Sequence, residues 1–252
     1  MTIESKDNEK LKLVRKLRDR RKREREGLFA TEGEDLLEAG LAAGAEPRFV
    51  LVATGAGIPG VDLPVDVVEQ ELLADASALG SGTRVLAVWP LEWAAVPTSP
   101  CVYLHGVGDP GNVGTIIRTA DALLGATVAL GPECADPFGP KATRASMGSI
   151  FARPPAKAGI ATTPGPRAAL VAHGGSGLEA LARVATICLG AEREGLPADV
   201  LAACDAIATI PLTGAAESLN VAAAAAIACE RLAAQGGARI SSLAMSEERP
   251  DA

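Results

Sequence analysis

Short apolar runs alternate with amphipathic stretches along most of this 252-residue chain. The apolar runs are rich in Val, Leu and Ala and are bounded by Gly, Pro or charged residues, which is typical of buried β-strands. We predict strands within the segments 28–33, 48–55, 64–79, 83–90, 101–107, 126–132, 185–192 and 205–212. The segment 150–177 is predicted to mix loop with one short strand.

Apolar residues at helical spacing lie between these runs. Leu11, Val14 and Leu17 fall on one stripe and predict a single helix over 4–26. Other helices are predicted within 34–44, the second half of 64–79, 112–124, 139–148 and 218–234. Because strands and helices alternate, the pattern indicates an α/β fold.

A proline-bearing segment, "LEWAAVPTSP" at 91–100, interrupts this alternation. Prolines in such a segment mark turns and linkers, so we predict two domains. The first is a small α/β domain at 1–95, and the second is a larger α/β domain at 99–237. Residues 238–252 follow the last predicted helix and are expected to form a flexible tail.

Composition narrows the class of protein. Hydrophobic residues make up 48% of the chain, which is enough for a packed core. The chain has no uncharged apolar stretch of the length that a membrane span needs, and its charged N-terminus lacks the apolar centre of a signal peptide. A cytoplasmic protein with no membrane partner is therefore expected. The five cysteines form no C-x-x-C pair and there are two histidines, so neither a disulfide framework nor a metal centre is expected.

The net charge of −7 hides an asymmetry along the chain. Residues 1–26 contain 11 Lys or Arg and 6 Asp or Glu, whereas the rest contains 13 and 25. A basic N-terminal surface suits a polyanion such as RNA. A solvated helix with ion pairs between successive turns has the same composition, so charge alone leaves both interpretations open.

A glycine-rich segment, "GVGDPGNVGTIIRTADAL" at 106–123, follows one of the predicted strands. Its first six residues fit G-x-G-x-x-G, the phosphate-binding pattern of dinucleotide-dependent enzymes. Pro110 removes one of the main-chain N–H donors that such a site uses. The next strand, "ATVALGP", does not end in the acidic residue expected there. A dinucleotide site is therefore disfavoured.

Two further glycine-bearing segments follow predicted strands, "LGAEREGLP" at 189–197 and "IPLTGAAESLNV" at 210–221. Together with "DPGNVGTIIRTADAL" at 109–123, they resemble the three ordered motifs of the SpoU/TrmH branch of the SPOUT RNA methyltransferases. The segment "CADPFGPKATRASMGSIF" at 134–151 resembles the stretch between the first and second motifs. The N-terminal "RDRRKREREGLFATEGEDLLEAG" resembles the small L30e-like RNA-binding domain often fused in front. His105 departs from the family pattern, in which an acidic or small polar residue is expected.

The resemblance implies an α/β SPOUT domain with a trefoil knot, a homodimer, and methyl transfer from S-adenosylmethionine to a ribose 2′-hydroxyl of RNA. Ribosomal RNA is the expected substrate, with transfer RNA second. By family match, the expected cofactor contacts are Gly190, Ala191, Glu192, Gly195, Ile210, Leu212 and Leu219. The expected catalytic residues are Asn112, Arg118, Ser218 and Asn220. The expected RNA contacts are Lys141 and Arg144, with Arg18, Arg21 and Arg25 of the basic segment.

Each of these residue types suits its expected role. Asn112 is expected to cap the start of its helix. Arg118 stays protonated and is expected to clamp an RNA phosphate with its planar guanidinium. Ser218 is expected either to cap the last helix or to act directly, Asn220 to orient the hydroxyl or the loop of Arg118, and Glu192 to hold main-chain donors of the cofactor loop. A non-catalytic RNA-binding member of the same fold and a dinucleotide-dependent oxidoreductase are the alternatives.

Overall fold

The computed structural model describes residues 2–56, 63–79 and 82–236, and the tail predicted at 238–252 lies outside the described residues. Two sheets form, one in each part of the chain. No helix in these ranges is long and apolar enough to cross a membrane. The trefoil knot stays a prediction.

The N-terminal part is built on a mixed five-stranded sheet of order β1-β4-β3-β5-β2. In chain order its elements are β1 (Thr2–Ile3), α1 (Glu9–Lys16), α2 (Arg20–Glu26), β2 (Leu28–Glu32), α3 (Glu34–Ala42), β3 (Phe49–Ala53), β4 (Val65–Val68), α4 (Gln70–Ala76) and β5 (Val85–Pro90). β1, β4 and β3 run parallel, whereas β5 runs antiparallel to β3 and β2. A small α/β unit therefore precedes the main sheet.

The single helix predicted over 4–26 is wrong, because two capping residues divide the segment. The side chain of Asn8 accepts a hydrogen bond from the Lys10 N–H at the start of α1. The side chain of Asp19 accepts one from the Lys22 N–H at the start of α2. Such polar side chains satisfy the first free N–H groups of a new helix. The predicted apolar stripe of 11, 14 and 17 is nevertheless buried against the sheet.

The C-terminal part is built on a parallel six-stranded sheet of order β11-β9-β10-β6-β7-β8. In chain order its elements are β6 (Cys101–Leu104), α5 (Pro110–Leu124), β7 (Thr127–Leu130), α6 (Pro140–Ser146), α7 (Ser149–Ala152), β8 (Ala156–Lys157), β9 (Arg167–Leu170), β10 (Thr186–Leu189), α8 (Ala198–Ala202), β11 (Ala206–Ala208) and α9 (Val221–Gly236). The helix predicted at 139–148 is confirmed as α6, which ends at Ser146 because Met147 adopts a left-handed φ of 46°, and the short α7 follows it.

Both faces of this parallel sheet are covered, as parallel sheets require. α5 and α9 pack on one face, where Val113, Ile116 and Ala225 are buried. The other face buries Tyr103 and Val200 beneath α8 and the neighbouring loops. The core is built mainly from Val, Leu, Ile and Ala, so small side chains let α9 lie close to α5.

Aromatic side chains join the two parts of the chain. Phe29 of β2 lies 5.1 Å from Phe138, and Trp89 of β5 lies 4.6 Å from Phe151, both measured between ring centroids. Trp93, in the connecting segment, meets Phe138 edge-on at 5.0 Å. The small N-terminal part is thus packed against the loop and helices that follow β7.

Candidate active site

The glycine-bearing segments singled out in the sequence all follow strands of the parallel sheet. The first follows β6, the second follows β10 and the third follows β11. Carboxyl ends of parallel strands lie at one edge of the sheet, which is where open α/β sheets bind their ligands. Gly106 and Ala191 show how closely two of the loops approach, because a Cβ on Gly106 would lie 3.2 Å from the Ala191 Cβ.

The loop after β10 is a tight turn closed by its own backbone. The Ala191 N–H donates to the Gly195 carbonyl at 3.1 Å, and the Gly195 N–H donates back to the Ala191 carbonyl at 3.0 Å. A Cβ on Gly190 would lie 2.2 Å from the Gly195 carbonyl carbon, so this position has room only for glycine. Gly195 adopts a φ of 69°, which favours glycine. Both glycines are therefore required by the shape of the turn.

This turn forms one wall of a cavity of about 220 Å³. The rest of the lining comes from the exposed segment between β11 and α9, from the end of β9 and from the start of α9. Apolar side chains line the cavity together with polar groups that include those of Glu192 and Ser218. The seven residues predicted as cofactor contacts all line it, namely Gly190, Ala191, Glu192, Gly195, Ile210, Leu212 and Leu219.

Three polar side chains, one from each motif, meet beside this cavity. The Asn112 side-chain amide donates a hydrogen bond to Glu192 Oε1. Asn220 Nδ2 donates to Asn112 Oδ1 at 3.2 Å. Glu192 thus accepts from Asn112, where we expected it to hold main-chain donors of its own loop. The fold brings together residues that are 80 and 108 positions apart in sequence.

The helix starts differ from those expected at both ends of this network. Asp109, not Asn112, caps α5, because its Oδ1 accepts from the Asn112 N–H at 2.9 Å. Asn220, not Ser218, caps α9, because its Oδ1 accepts from the N–H groups of Ala222 at 2.9 Å and Ala223 at 3.3 Å. Capping by Asp109 leaves the side chain of Asn112 free to join the network. Ser218 lines the cavity instead.

Asp109 was not among the predicted site residues, although an Asp directly before a Pro at the first helical position is a recognisable capping signal. Lys141 of α6 donates to Asp109 Oδ2 at 2.7 Å. The Lys141 ammonium, followed by the Asn112 N–H, holds the pKa of the Asp109 carboxyl below its usual range. A carboxylate therefore occupies the α5 N-terminus, where a dinucleotide pyrophosphate would have to bind, and like charges there repel.

Arg118 lies in the middle of α5 and is exposed. It does not line the cavity, and within the described ranges it forms no hydrogen bond or ion pair. The structure therefore does not place Arg118 on the network that joins Asn112, Glu192 and Asn220. Its guanidinium is open to solvent and accessible to a ligand.

The predicted RNA contacts lie in different surroundings. Arg21 and Arg25 are exposed on α2, and Arg25 pairs with the adjacent Glu26 at 2.7 Å. Arg18 donates to the backbone carbonyl of Ser77 at 2.7 Å and to that of Asp75, so it also stabilises the N-terminal part. Lys141 pairs with Asp109, as described above, and Arg144 lines a cavity together with acidic residues of the N-terminal part.

Two of the buried cysteines, Cys101 and Cys229, are unsuited to thiolate chemistry. No cluster of three or more His, Cys, Asp or Glu suited to a metal ion occurs among the described residues. Cys101 is buried in the parallel sheet, and desolvation raises the pKa of its thiol to about 12. Burial likewise raises the pKa of Cys229 in α9 to about 12. Both thiols stay protonated and inert at neutral pH.

The comparisons with known proteins agree with this geometry. Residues 99–230 match the model of the SpoU rRNA Methylase family, and residues 8–87 match that of the MRM3-like substrate binding domain. The 23S rRNA (guanosine(2553)-2′-O)-methyltransferase RlmP of Bacillus subtilis is 35% identical over 242 residues, which cover 89% of this chain and 96% of the relative.

Two solved structures share the whole architecture. A TrmH-family RNA methyltransferase from Porphyromonas gingivalis, described as putative, has a TM-score of 0.75 at 32% identity, over 88% of this chain and 95% of its own. An AdoMet-bound rRNA methyltransferase from Sinorhizobium meliloti has a TM-score of 0.80 at 27% identity, over 92% of this chain and 96% of its own. Because the family match spans more than half of the residues and the likeness extends over nearly the full length of these relatives, the chain belongs to the SpoU rRNA methylase family.

Proposed function

We propose that this protein transfers the methyl group of S-adenosylmethionine to a ribose 2′-hydroxyl of 23S ribosomal RNA. The observation that carries the proposal is the contact among Asn112, Glu192 and Asn220 beside the cavity. It joins all three motifs of the family at one point, and a non-catalytic RNA-binding protein does not require such a contact next to a cavity lined by the second and third motifs. The Bacillus subtilis relative is a 23S rRNA 2′-O-methyltransferase, which supports the same reaction.

The lining of the cavity fits S-adenosylmethionine. The apolar wall suits the flat adenine, and the turn and the segment after β11 offer main-chain donors and acceptors to its polar edges. Glu192 and Ser218 supply polar groups of the lining for the amino-acid end. When bound, the cofactor supplies an electrophilic methyl group on a sulfonium. Gly190, Ala191, Gly195, Ile210, Leu212 and Leu219 form the rest of the proposed contact set.

The residues of this chain act by positioning the RNA hydroxyl. Asn112 is held in one orientation by Glu192 on one side and Asn220 on the other. Holding two reactants in a fixed geometry removes much of the entropic barrier to their reaction. Arg118 is exposed on the same helix and, with its planar fork of donors, clamps a phosphate beside the reacting ribose.

The N-terminal part binds the RNA. Exposed cations of α2, including Arg21 and Arg25, provide sequence-independent contacts to phosphates. Lys141 and Arg144 extend these contacts onto α6. Ribosomal RNA is the proposed substrate and transfer RNA the second candidate, and a cytoplasmic location belongs to the same proposal.

A homodimer and a trefoil knot in the C-terminal part belong to the same proposal. Leu123 of α5 is 40% exposed and Ile227 of α9 is 37% exposed, on two helices that pack together. Large apolar side chains left open on adjacent helices support a face that a second copy covers. Light scattering at micromolar concentration should report twice the 25.6 kDa mass of the chain, and a particle of 25.6 kDa would contradict the dimer.

The test of the function is a methyl-transfer assay with purified full-length protein, isotopically labelled S-adenosylmethionine and unmodified ribosomal RNA. We expect label in 23S RNA at one position that resists alkaline hydrolysis, as a 2′-O-methylated nucleotide does. Transfer RNA is tested in parallel. RNA binding without methyl transfer would identify a non-catalytic RNA-binding protein. Thermal stabilisation by NAD but not by S-adenosylhomocysteine would favour the dinucleotide alternative.

A further inference from the structure

One basic side chain of α2 points away from solvent. Arg23 is 4% exposed, whereas the other Lys and Arg residues of this helix are exposed. Its Nε donates to Asp136 Oδ2 at 2.9 Å, and its Nη2 also reaches that oxygen. Asp136 lies 113 residues away, in the loop between β7 and α6. A buried ion pair thus joins the N-terminal part to the C-terminal part.

The guanidinium of Arg23 donates hydrogen bonds to the backbone that follows α1 as well as to Asp136. Its Nη1 donates to the backbone carbonyls of Leu17 at 2.6 Å and Arg18 at 2.9 Å, which directly follow α1. On the other side, Asp136 Oδ1 accepts from the Phe138 N–H at 3.0 Å, so the carboxylate also shapes its own loop. With side-chain exposures of 5% and 13%, the pair is desolvated. Removal of either partner would leave a buried charge without its counter-charge.

Contacts continue from Asp136 to the catalytic helix. The loop that carries Asp136 leads directly into α6, whose Lys141 donates to the Asp109 cap of α5. The backbones of α6 and α5 approach closely, since a Cβ on Gly114 would lie 2.2 Å from the Ala142 carbonyl oxygen. Asn112 and Arg118 lie on α5. A continuous series of contacts therefore links α2 to α5, the helix that carries the proposed catalytic residues.

The ion pair is not what holds the two parts together. The aromatic contacts of Phe29 with Phe138 and of Trp89 with Phe151 do that, and they lie beyond α2 in sequence. α2 itself ends at Gly27, which has a φ of 64°. Without the pair, α2 would keep its link to β2 and the exposed contact of Glu24 with Lys157 at 3.9 Å, and its angle to the catalytic part would be less restricted. Arg23 and Asp136 are therefore suited to fixing that angle.

We infer that Arg23 and Asp136 are positioning residues for methyl transfer, which fix where RNA held by α2 meets the catalytic helix. The inference rests on the proposed function. The exposed cations of α2 bind phosphates, whereas Arg23 has its charge satisfied inside the protein. The pair contributes to the rate at which bound RNA reacts and not to how tightly RNA binds.

The test compares Arg23→Met with Arg21→Met in the full-length protein. For Arg23→Met we expect the single-turnover rate at saturating RNA to fall by about 10-fold or more, because misplacement by about 1 Å costs on the order of 100-fold. Its RNA affinity and the slope of log affinity against log salt should stay within error of wild type. For Arg21→Met we expect weaker binding and a slope lowered by about one, as loss of one phosphate contact predicts.

Two more variants keep the result interpretable. Asp136→Asn retains a side-chain oxygen and the shape of the loop, so it should fold and show a smaller loss of rate with unchanged affinity. Arg153→Met removes an exposed arginine that pairs with Asp121 within the C-terminal part, and it should match wild type in both measurements. A wild-type rate for a folded Arg23→Met or Asp136→Asn protein, or a loss confined to affinity, would overturn the inference. If wild-type protein methylates no RNA, the proposed function fails first.

Discussion

Substitution of one glycine, Gly190→Ala, tests whether the tight turn after β10 is the cofactor site. The added Cβ would lie 2.2 Å from the Gly195 carbonyl carbon, 2.3 Å from its oxygen and 2.4 Å from the Leu196 nitrogen. Carbon atoms in contact prefer separations of about 3.5–4.0 Å, so the turn must move by more than about 1 Å. All three neighbours are backbone atoms, so no side-chain rotation relieves the clash.

The expected loss of cofactor-binding free energy in Gly190→Ala has two contributions. Overpacking of this kind costs about 1–3 kcal/mol. Movement of the turn also weakens the two hydrogen bonds between Ala191 and Gly195, at up to about 1 kcal/mol each. Because the displaced turn is a wall of the cavity, we expect about 2–4 kcal/mol to appear as lost binding of S-adenosylmethionine. That corresponds to an increase in Kd of about 30- to 700-fold.

Isothermal titration calorimetry with S-adenosylmethionine and with S-adenosylhomocysteine measures this change, and circular dichroism checks that the variant is folded. Gly108→Ala is the matched control, since it directly precedes the first motif, has no neighbour within 4 Å of its added Cβ and has no left-handed φ. We expect it to bind the cofactor like wild type. A folded Gly190→Ala protein with Kd within twofold of wild type would refute the assignment of the turn. So would an equal loss in Gly108→Ala.

Three further outcomes are expected. Asn112→Asp replaces an amide donor by a carboxylate that faces Glu192, so two like charges repel. Because residue 112 then loses its fixed orientation, single-turnover methyl transfer should fall by at least about 10-fold. Arg118→Ala should abolish methyl transfer with little change in cofactor Kd by calorimetry, and Arg118→Lys should restore little, because an ammonium lacks the planar fork; a normal rate in Arg118→Ala would remove its catalytic role. The pKa of the Asp109 carboxyl is lower in the folded protein than in the unfolded chain, where it is about 4. The stabilisation by this carboxylate is therefore complete above the unfolded pKa and is lost as the pH falls through the lower folded pKa. Thermal melts from pH 6 to pH 3 should therefore show a steeper acid-side loss for wild type than for Asp109→Asn, and parallel curves would contradict this.

Local patterns in the sequence determined the class of fold. Strands within 48–55, 101–107 and 126–132 are confirmed, as is the closing helix, although it begins at Val221 and not at 218. Apolar periodicity suffices here because burial on one face or two faces of a sheet imposes a repeat that neighbouring residues display. The three motifs also identified the family, because their order along the chain is itself a sequence property.

Helix boundaries were less well determined, since they depend on which polar side chain turns back to the backbone. Asn8 and Asp19 divided the basic segment into two helices, and Asp109 and Asn220 took the capping positions expected for Asn112 and Ser218. At the starts of α1, α5 and α9, more than one Asn, Asp or Ser residue lies within a few positions. Any of them satisfies the capping preference, and only the tertiary contacts of the others decide among them.

Only the tertiary structure decided which charged and polar residues act together. The sequence of α2 is almost wholly charged, and nothing in it distinguishes Arg23, which is buried against Asp136, from the exposed Arg21 two residues earlier. The meeting of Asn112 with Glu192 and Asn220 likewise spans 80 and 108 residues. Periodicity reports the face on which a side chain lies, but the partner of a buried charge or amide comes from a distant segment that folding brings to it.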